Sequence, residues 1–311
     1  MNKNQKMGVA LPPPPPKNAG KIKKVVDRAL IALKSLEYQR VFQDKNHPNS
    51  PLNPWAYIRV KNEIDTLQAS LDSVAGGIKR GIIVYNECID GSDELIKEFC
   101  KKHQGYICVE YPYEVLGVEH FRQERKYKKT LPEFYDFALS FVPKNEWFIK
   151  VDCDQIYDLE KLKKSFSLVK SFNDVIVYMQ LNLHIFDDRV FIQMKDPVVE
   201  HGDHFLMCNR SIYFDESFMT SSEKKCKSYE ILKRTFSSRI KKTQCVLWHF
   251  PYIKASRKDL AKIEDYVPLS EYKKVIPEKY LLRISPDMLD EERILSFLRG
   301  QDEAQYPRRE E

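Results

Sequence analysis

Trp147-Phe148-Ile149-Lys150-Val151-Asp152-Cys153-Asp154-Gln155 decides how the rest of the chain is read. A short apolar run with a β-branched centre passes directly into two carboxylates spaced i, i+2. On extended backbone that spacing sends both side chains to one side. At the end of a buried strand they could therefore share one hard cation. Mg²⁺ or Mn²⁺ held by one or two carboxylates completes its shell with water and substrate phosphate oxygens, as a nucleotide-sugar diphosphate or another phosphate would supply. The same two acids also fit a turn and a helix cap after a strand.

The chain has 311 residues, 42% hydrophobic and 12% aromatic, enough to bury one large core or two modest ones. Its 10 glycines leave little room for repeated Gly-rich phosphate loops. A net charge of +6 suits anionic partners such as nucleotides or a lipid surface and is no nucleic-acid signature. No apolar run approaches the ~18 residues of a membrane span, and the polar, proline-rich start does not read as a signal peptide. Seven cysteines at 88, 100, 108, 153, 208, 226 and 245 form no C-x-x-C pair and read as reduced thiols. These features place the chain in the cytoplasm.

Outward from the motif, residues 1–20, with Pro12 to Pro16, read as a disordered Pro-rich tail. Residues 21–48 read as a basic amphipathic helix and linker, with Ile22, Val25, Val26, Ala29, Leu33 and Leu36 on one face. That helix could dock on the body or lie on an anionic membrane surface. Then strands and helices alternate: strand Trp55–Val60, a helix through Ile64, Leu67, Leu71 and Val74, strand Ile82–Tyr85, helix Ser92–Lys102, strand Tyr106–Tyr111. The alternation predicts a layered α/β protein on a mixed, mostly parallel sheet, whose ligands bind outside the carboxyl ends of the strands. A charged loop spans Val115–Lys129, and a helix covers Leu131–Phe141. Another helix starts at the N-cap Asp158, and a hairpin turns at Asp187-Asp188. Thr243–Phe250 reads as the last strand. A C-terminal helix opens at Ser285-Pro286 and closes at Gly300.

Three strand-end segments carry the polar chemistry: Ile58-Arg59-Val60-Lys61-Asn62-Glu63, Tyr85-Asn86-Glu87-Cys88-Ile89-Asp90-Gly91-Ser92, and Asp152-Cys153-Asp154. In this order they resemble the nucleotide-binding half of a GT-A glycosyltransferase, where the pattern runs P-V-Y-N-E, D-N-G-S-T-D-G-S, D-x-D. Ser50 to Glu63, Glu146 to Asp158, Gly202-Asp203 and His249-Phe250-Pro251 are similar to the bacterial lipooligosaccharide β-1,4-N-acetylgalactosaminyltransferases. The likeness covers roughly residues 50–260, the expected catalytic domain, with a nucleotide-binding part at 50–157 and an acceptor part at 158–260. Residues 261–311 are left as a C-terminal helical segment and tail.

The resemblance implies a metal-dependent, inverting transferase. Its donor would be UDP-N-acetylgalactosamine or a related UDP-sugar, and its acceptor a lipid-linked oligosaccharide at the inner face of the cytoplasmic membrane. Position by position, Arg59, Glu63, Asn86 and Asp90 would line the uridine pocket, with Asp90 against the uracil. Asp154 would bind Mn²⁺ or Mg²⁺, Asp152 would reach the ribose or complete the metal shell, and His249 would be the third protein ligand. Lys254 and Arg257 would face the diphosphate. Asp203 would deprotonate the acceptor hydroxyl, with Glu200 and Glu223 in reserve. Glu63 also fits a helix cap, Asp90 a turn, and His249 a packed core histidine beside Trp248. Arg59-Val60-Lys61 and Glu87-Cys88-Ile89 depart from the pattern, so the donor sugar stays open. Cys153 should point into the sheet and be inert. Two other readings use the same residues. One is a haloacid-dehalogenase-type phosphatase, whose motif also follows a strand but usually opens its domain. The other is a non-catalytic surface-binding protein on the same fold.

Overall fold

The computed structural model describes residues 37–202, 204–220, 225–235 and 237–299. The chain divides into two units, residues 1–41 and 42–311. Of the first, only 37–41 are described, and they are helical. The Pro-rich tail and most of the expected basic helix thus lie outside the described residues.

The elements of the second unit run β1 (Trp55–Val60), α1 (Ile64–Ala75), β2 (Arg80–Tyr85), α2 (Ser92–Lys102), β3 (Tyr106–Glu110), β4 (Glu119–Phe121), α3 (Leu131–Leu139), β5 (Trp147–Val151), β6 (Gln155–Tyr157) and α4 (Leu159–Phe166). The order continues with β7 (Asp174–Phe186), β8 (Arg189–Gln193), β9 (Val198–Val199), β10 (Phe205–Cys208), β11 (Ile212–Thr220), β12 (Lys225–Arg234), β13 (Arg239–His249), β14 (Tyr266–Pro268), α5 (Glu278–Leu281) and α6 (Glu291–Leu298). The main sheet has the order β14-β8-β7-β10-β5-β1-β2-β3. Its β3-β2-β1-β5 half is wholly parallel, and β10 joins antiparallel beside β5. This is the mixed, largely parallel α/β sheet expected.

The parallel half forms because its strands carry no polar alternation. Every residue of β5 is buried, as are the last five of β1 and of β2, which is what a sheet covered on both faces requires. Tyr57 and Phe148 pack with Phe134, Ala138 and Leu139 of α3 on one side. On the other, Ile156, Met179, Leu181 and Trp248 pack with Met288 and Ile294. Register places Val60 opposite Tyr85 and Ile58 opposite Val151, so β1, β2 and β5 deliver their polar termini to one edge.

Three elements differ from the sequence reading. The charged 115–129 segment carries β4, which pairs with β12 in a separate three-stranded sheet with β11. The strand expected at Thr243 begins at Arg239, and β14 follows it. Residues past 260 join the body: β14 pairs with β8, and the Trp248 indole donates to the Met288 carbonyl at 2.9 Å. Propensity missed these because short, half-exposed strands such as β4 and β14 are stabilised by distant partners, not by their own pattern.

Candidate active site

Asp152 follows β5 and meets two buried cations. Its Oδ1 accepts from the Arg59 guanidinium at 2.6 Å and its Oδ2 from Lys150 Nζ at 2.5 Å. Lys150 is only 1% exposed. It lies in the middle of the β5 pattern, where sequence reading treats it as part of an apolar run. Arg59 has a 4% exposed side chain, and its guanidinium carbon lies 3.6 Å from the Tyr135 ring centroid. Burial works to raise the Asp152 carboxyl, but Lys150 and then Arg59 outweigh it and hold the group well below the usual carboxylate range. Arg59 therefore backs Asp152 and does not line an open pocket. Both oxygens of Asp152 are committed to side-chain cations, and its membership of a three-ligand metal set is not formed. Among the described residues no three His, Cys, Asp or Glu side chains converge on a metal position.

Asp154 and His249 do come together. His249 ends β13, which lies between two strands and pairs His249 with Gln155 on one side and Asn182 on the other. The Phe250 amide donates to the Asp154 carbonyl at 2.8 Å, tying the two segments. Asn182 donates its amide to the Asp196 carbonyl at 2.8 Å, which leaves its Oδ1 facing His249 Nδ1, also at 2.8 Å. Gln180 Nε2 also lies 3.1 Å from Nδ1; taking the shorter Asn182 contact as the hydrogen bond assigns the proton to Nδ1, and Nε2 keeps its lone pair. Nε2 faces Asp154 Oδ2 at 3.5 Å. Two lone-pair groups turned toward each other at that separation suit a cation between them, and an imidazole oriented by an amide oxygen is a common metal ligand. The pair fits a divalent ion that keeps most of its shell for phosphate and water. The core-histidine alternative fails, since His249 keeps one nitrogen at the polar edge.

The two upstream loops are stitched to each other. Asn62 and Glu87 adopt φ of 55° and 46°, in the left-handed region, and Gly91 sits at 92°. Asn62 Oδ1 accepts from the Ile89 amide at 2.8 Å, and Ser92 Oγ from the Glu63 amide at 2.9 Å. Asp90 Oδ2 accepts from the Ile64 amide, the first of α1, at 3.1 Å, while its Oδ1 accepts from Ser92. Asp90 is thus the cap of α1. Glu63, expected as a possible cap, makes no such bond. Its carboxylate instead accepts from Lys254 Nζ at 2.6 Å. Burial pushes Glu63 up to about 7, against the pull of Lys254. Asn86 is fully buried, donating to the carbonyls of Tyr111 and Tyr113, with its Oδ1 left without a hydrogen-bond partner. It braces the loop after β3. Arg257 stays half exposed, with Nη1 4.0 Å from Asp154.

Of the base candidates, Asp203 and Glu223 lie outside the described residues. Glu200 is a poor base: Lys242 at 2.8 Å and Arg283 at 2.5 Å hold it ionised, and its pKa is lowered although burial alone would raise it. Cys153 behaves as expected. Its thiol is buried, lies 3.6 Å from the Arg59 carbonyl, and is pushed up by desolvation. Sequence reading missed Lys150, Tyr135 and Asn182. Only Lys150 left a signal, a lone cation inside a buried strand, whose partner had to be a carboxylate.

The family described as Beta-1,4-N-acetylgalactosaminyltransferase (CgtA) matches residues 17–299. No curated protein gives a significant match. Among solved structures, the chain is similar to the mannosyltransferase PcManGT from Pyrobaculum calidifontis in complex with GDP-Man and Mn²⁺. Identity is 12% over 50% of this chain and 43% of that one, with a TM-score of 0.30. The chain spans less than half the length of that protein, and so distant a likeness carries no functional weight.

Proposed function

The chain belongs to the β-1,4-N-acetylgalactosaminyltransferase family and is a glycosyltransferase, and from that premise we propose that it moves N-acetylgalactosamine from its UDP-sugar, with inversion, to a terminal sugar of a lipooligosaccharide-type glycan. Membership of that family sets aside the phosphatase reading.

A divalent cation, Mn²⁺ or Mg²⁺, is held in this reading by Asp154 and His249, and when bound it offsets the charge of the departing diphosphate. The single observation that carries it is His249 Nε2, presented by Asn182 and facing the Asp154 carboxylate at 3.5 Å. Around that pair the chain's own groups divide the work. Arg257, within 4.0 Å of Asp154 and half exposed, is free to reach the diphosphate. Asp152 is kept ionised by Lys150 and Arg59, with its side chain still 29% exposed, so an open edge remains for a ribose hydroxyl. The Asn62–Glu63 and Asp90–Ser92 loops hold one another, which fixes the wall for a base before ligand arrives. Asp203 takes the acceptor proton.

The test is UDP release from a panel of UDP-sugars, with and without Mn²⁺, by the wild type and by Asp154→Asn and His249→Gln. Release should need the metal, be fastest with UDP-N-acetylgalactosamine, and fall by roughly 10²-fold or more in both variants. Full metal-dependent turnover in Asp154→Asn would remove the ligand assignment.

A further inference from the structure

The separate sheet of β11, β12 and β4 packs one face on the body and leaves the other open. Cross-strand register and strand alternation sort its residues between the two faces. Ile212, Phe214 and Leu232 turn inward, onto the core cluster that holds Phe134 and Tyr135 of α3, and His120, Cys226 and Ser228 on the same face are buried. The outer face carries Tyr213 and Asp215 from β11, Lys227, Tyr229, Ile231 and Lys233 from β12, and Glu119 and Phe121 from β4. An antiparallel sheet with one face in solvent is ordinarily polar on that side. Here Phe121, Tyr213, Tyr229 and Ile231 are exposed by 37% to 48%, and an apolar patch of this kind marks an interaction surface.

The charge around the patch is positive. The 30 residues of 119–129, β11 and β12 hold 9 Lys and Arg against 5 Asp and Glu, so +4 of the chain's net +6 lies in them. Some of these cations are engaged: Arg125 pairs with Glu216, and Lys227, whose Nζ lies 5.9 Å from the Tyr229 ring centroid, reaches Glu119 at 3.4 Å. Arg122, Lys126, Lys233 and Arg234 are exposed, and no carboxylate among the described residues engages them. Lys233 stands opposite Tyr213 on the open face. Arg122 and Lys126 belong to the segment that follows Phe121, and the Tyr127 beside them is also exposed.

We propose that this open face rests on an anionic lipid bilayer. Tyr213, Tyr229, Ile231 and Phe121 enter the boundary between headgroups and acyl chains, and Arg122, Lys126 and Lys233 meet the lipid phosphates. Tyrosine suits such a boundary because its ring is apolar and its hydroxyl stays wet, and a lysine stem lies along apolar surface while its ammonium reaches the headgroups. The aliphatic Ile231 at the middle of the face decides between partners. It has nothing to offer the phosphates of a nucleic acid, whereas a bilayer takes the apolar centre and the basic surround together. The proposal stands on this surface and not on the transferase reading, and its test needs no turnover.

The experiment is co-sedimentation of the full chain with vesicles of equimolar phosphatidylglycerol and phosphatidylcholine, and with vesicles of phosphatidylcholine alone, at low and high salt. The chain should bind the anionic vesicles, bind the neutral ones far less, and come off as salt rises. Each cation at an anionic leaflet contributes a factor of about 5, so Lys233→Glu should weaken binding roughly 10- to 30-fold. Ile231→Ser should weaken it about 5-fold. Both positions are exposed, and an unchanged thermal midpoint confirms that the fold is kept. Leu282→Ser, at an exposed position outside this sheet, should bind as the wild type does. A wild type that stays in the supernatant, or binds both vesicles equally, overturns the proposal. Wild-type affinity in both face variants also overturns it, since binding then passes through another segment. Retention on polyuridylate without vesicle binding would overturn it in favour of a nucleic-acid surface.

Discussion

Replacing Lys150 by Met removes a buried charge with little change of shape, and the structure says what that should cost. Lys150 and Arg59 each hold one oxygen of Asp152, at 2.5 and 2.6 Å, with Lys150 1% exposed. Removing one partner of a buried ion pair typically costs about 3–5 kcal/mol, because the survivor is left uncompensated. In Lys150→Met the carboxylate keeps Arg59, so the loss should fall near the lower end, about 3 kcal/mol. Asp152→Asn leaves two buried cations facing a neutral amide and should cost more. The double variant removes donor and acceptor together and should lose less than the two single losses combined, with a coupling of at least ~1.5 kcal/mol. Urea unfolding at pH 7.5 reads all four proteins through their midpoints at constant slope. The pH matters: the folded Asp152 carboxyl lies below its ordinary 3.8, so its stabilisation is fully present above that value and fades as pH falls through the folded one. Losses that add within ~0.5 kcal/mol would refute the triad, since independent sites add and a shared buried charge cannot.

Two more outcomes are expected at the same site. Burial raises Glu63 from the ordinary 4.5 to about 7, so the folded chain binds more protons than the unfolded one between those values. Stability should therefore fall as pH rises from about 4.5 to 7, by up to roughly 3 kcal/mol at about 1.4 kcal/mol per pH unit, and Glu63→Gln should flatten that slope in metal-free urea titrations. A slope unchanged in Glu63→Gln assigns the pH dependence to another group. Asn182→Leu takes away the oxygen that holds the His249 Nδ1 proton. The Mn²⁺ concentration for half-maximal UDP release should then rise about 10- to 100-fold, the usual effect of losing such a support. An unchanged metal requirement would mean that Asn182 does not present Nε2.

Much of the donor side was legible because it is local. An apolar strand closing on Asp152-Cys153-Asp154, and two earlier strands closing on Asn62-Glu63 and Asn86 to Ser92, follow from pattern and spacing alone, as do the Asp158 cap and the hairpin at Asp187-Asp188. Parallel pairing then has to bring those ends to one edge, so their juxtaposition was legible too. The division of labour inside the site was not. Asp90 and Glu63 are both acids beside the start of α1, and composition cannot say that Asp90 caps it while Glu63 pairs with Lys254, 191 residues away. Asp152 and Asp154 share a motif, yet one meets two buried cations and the other meets His249. That difference is set by which strand packs beside each: β1 brings Arg59, while β13, held between β6 and β7, brings His249 in register with Asn182. The sequence by itself determined the fold class, the strand-end motifs and the edge at which they meet, because periodicity and chain order act over a few residues. Only the tertiary structure decided which acid is paired and which faces an open lone pair. Those properties depend on charge, burial and register across segments that the chain order leaves up to two hundred residues apart.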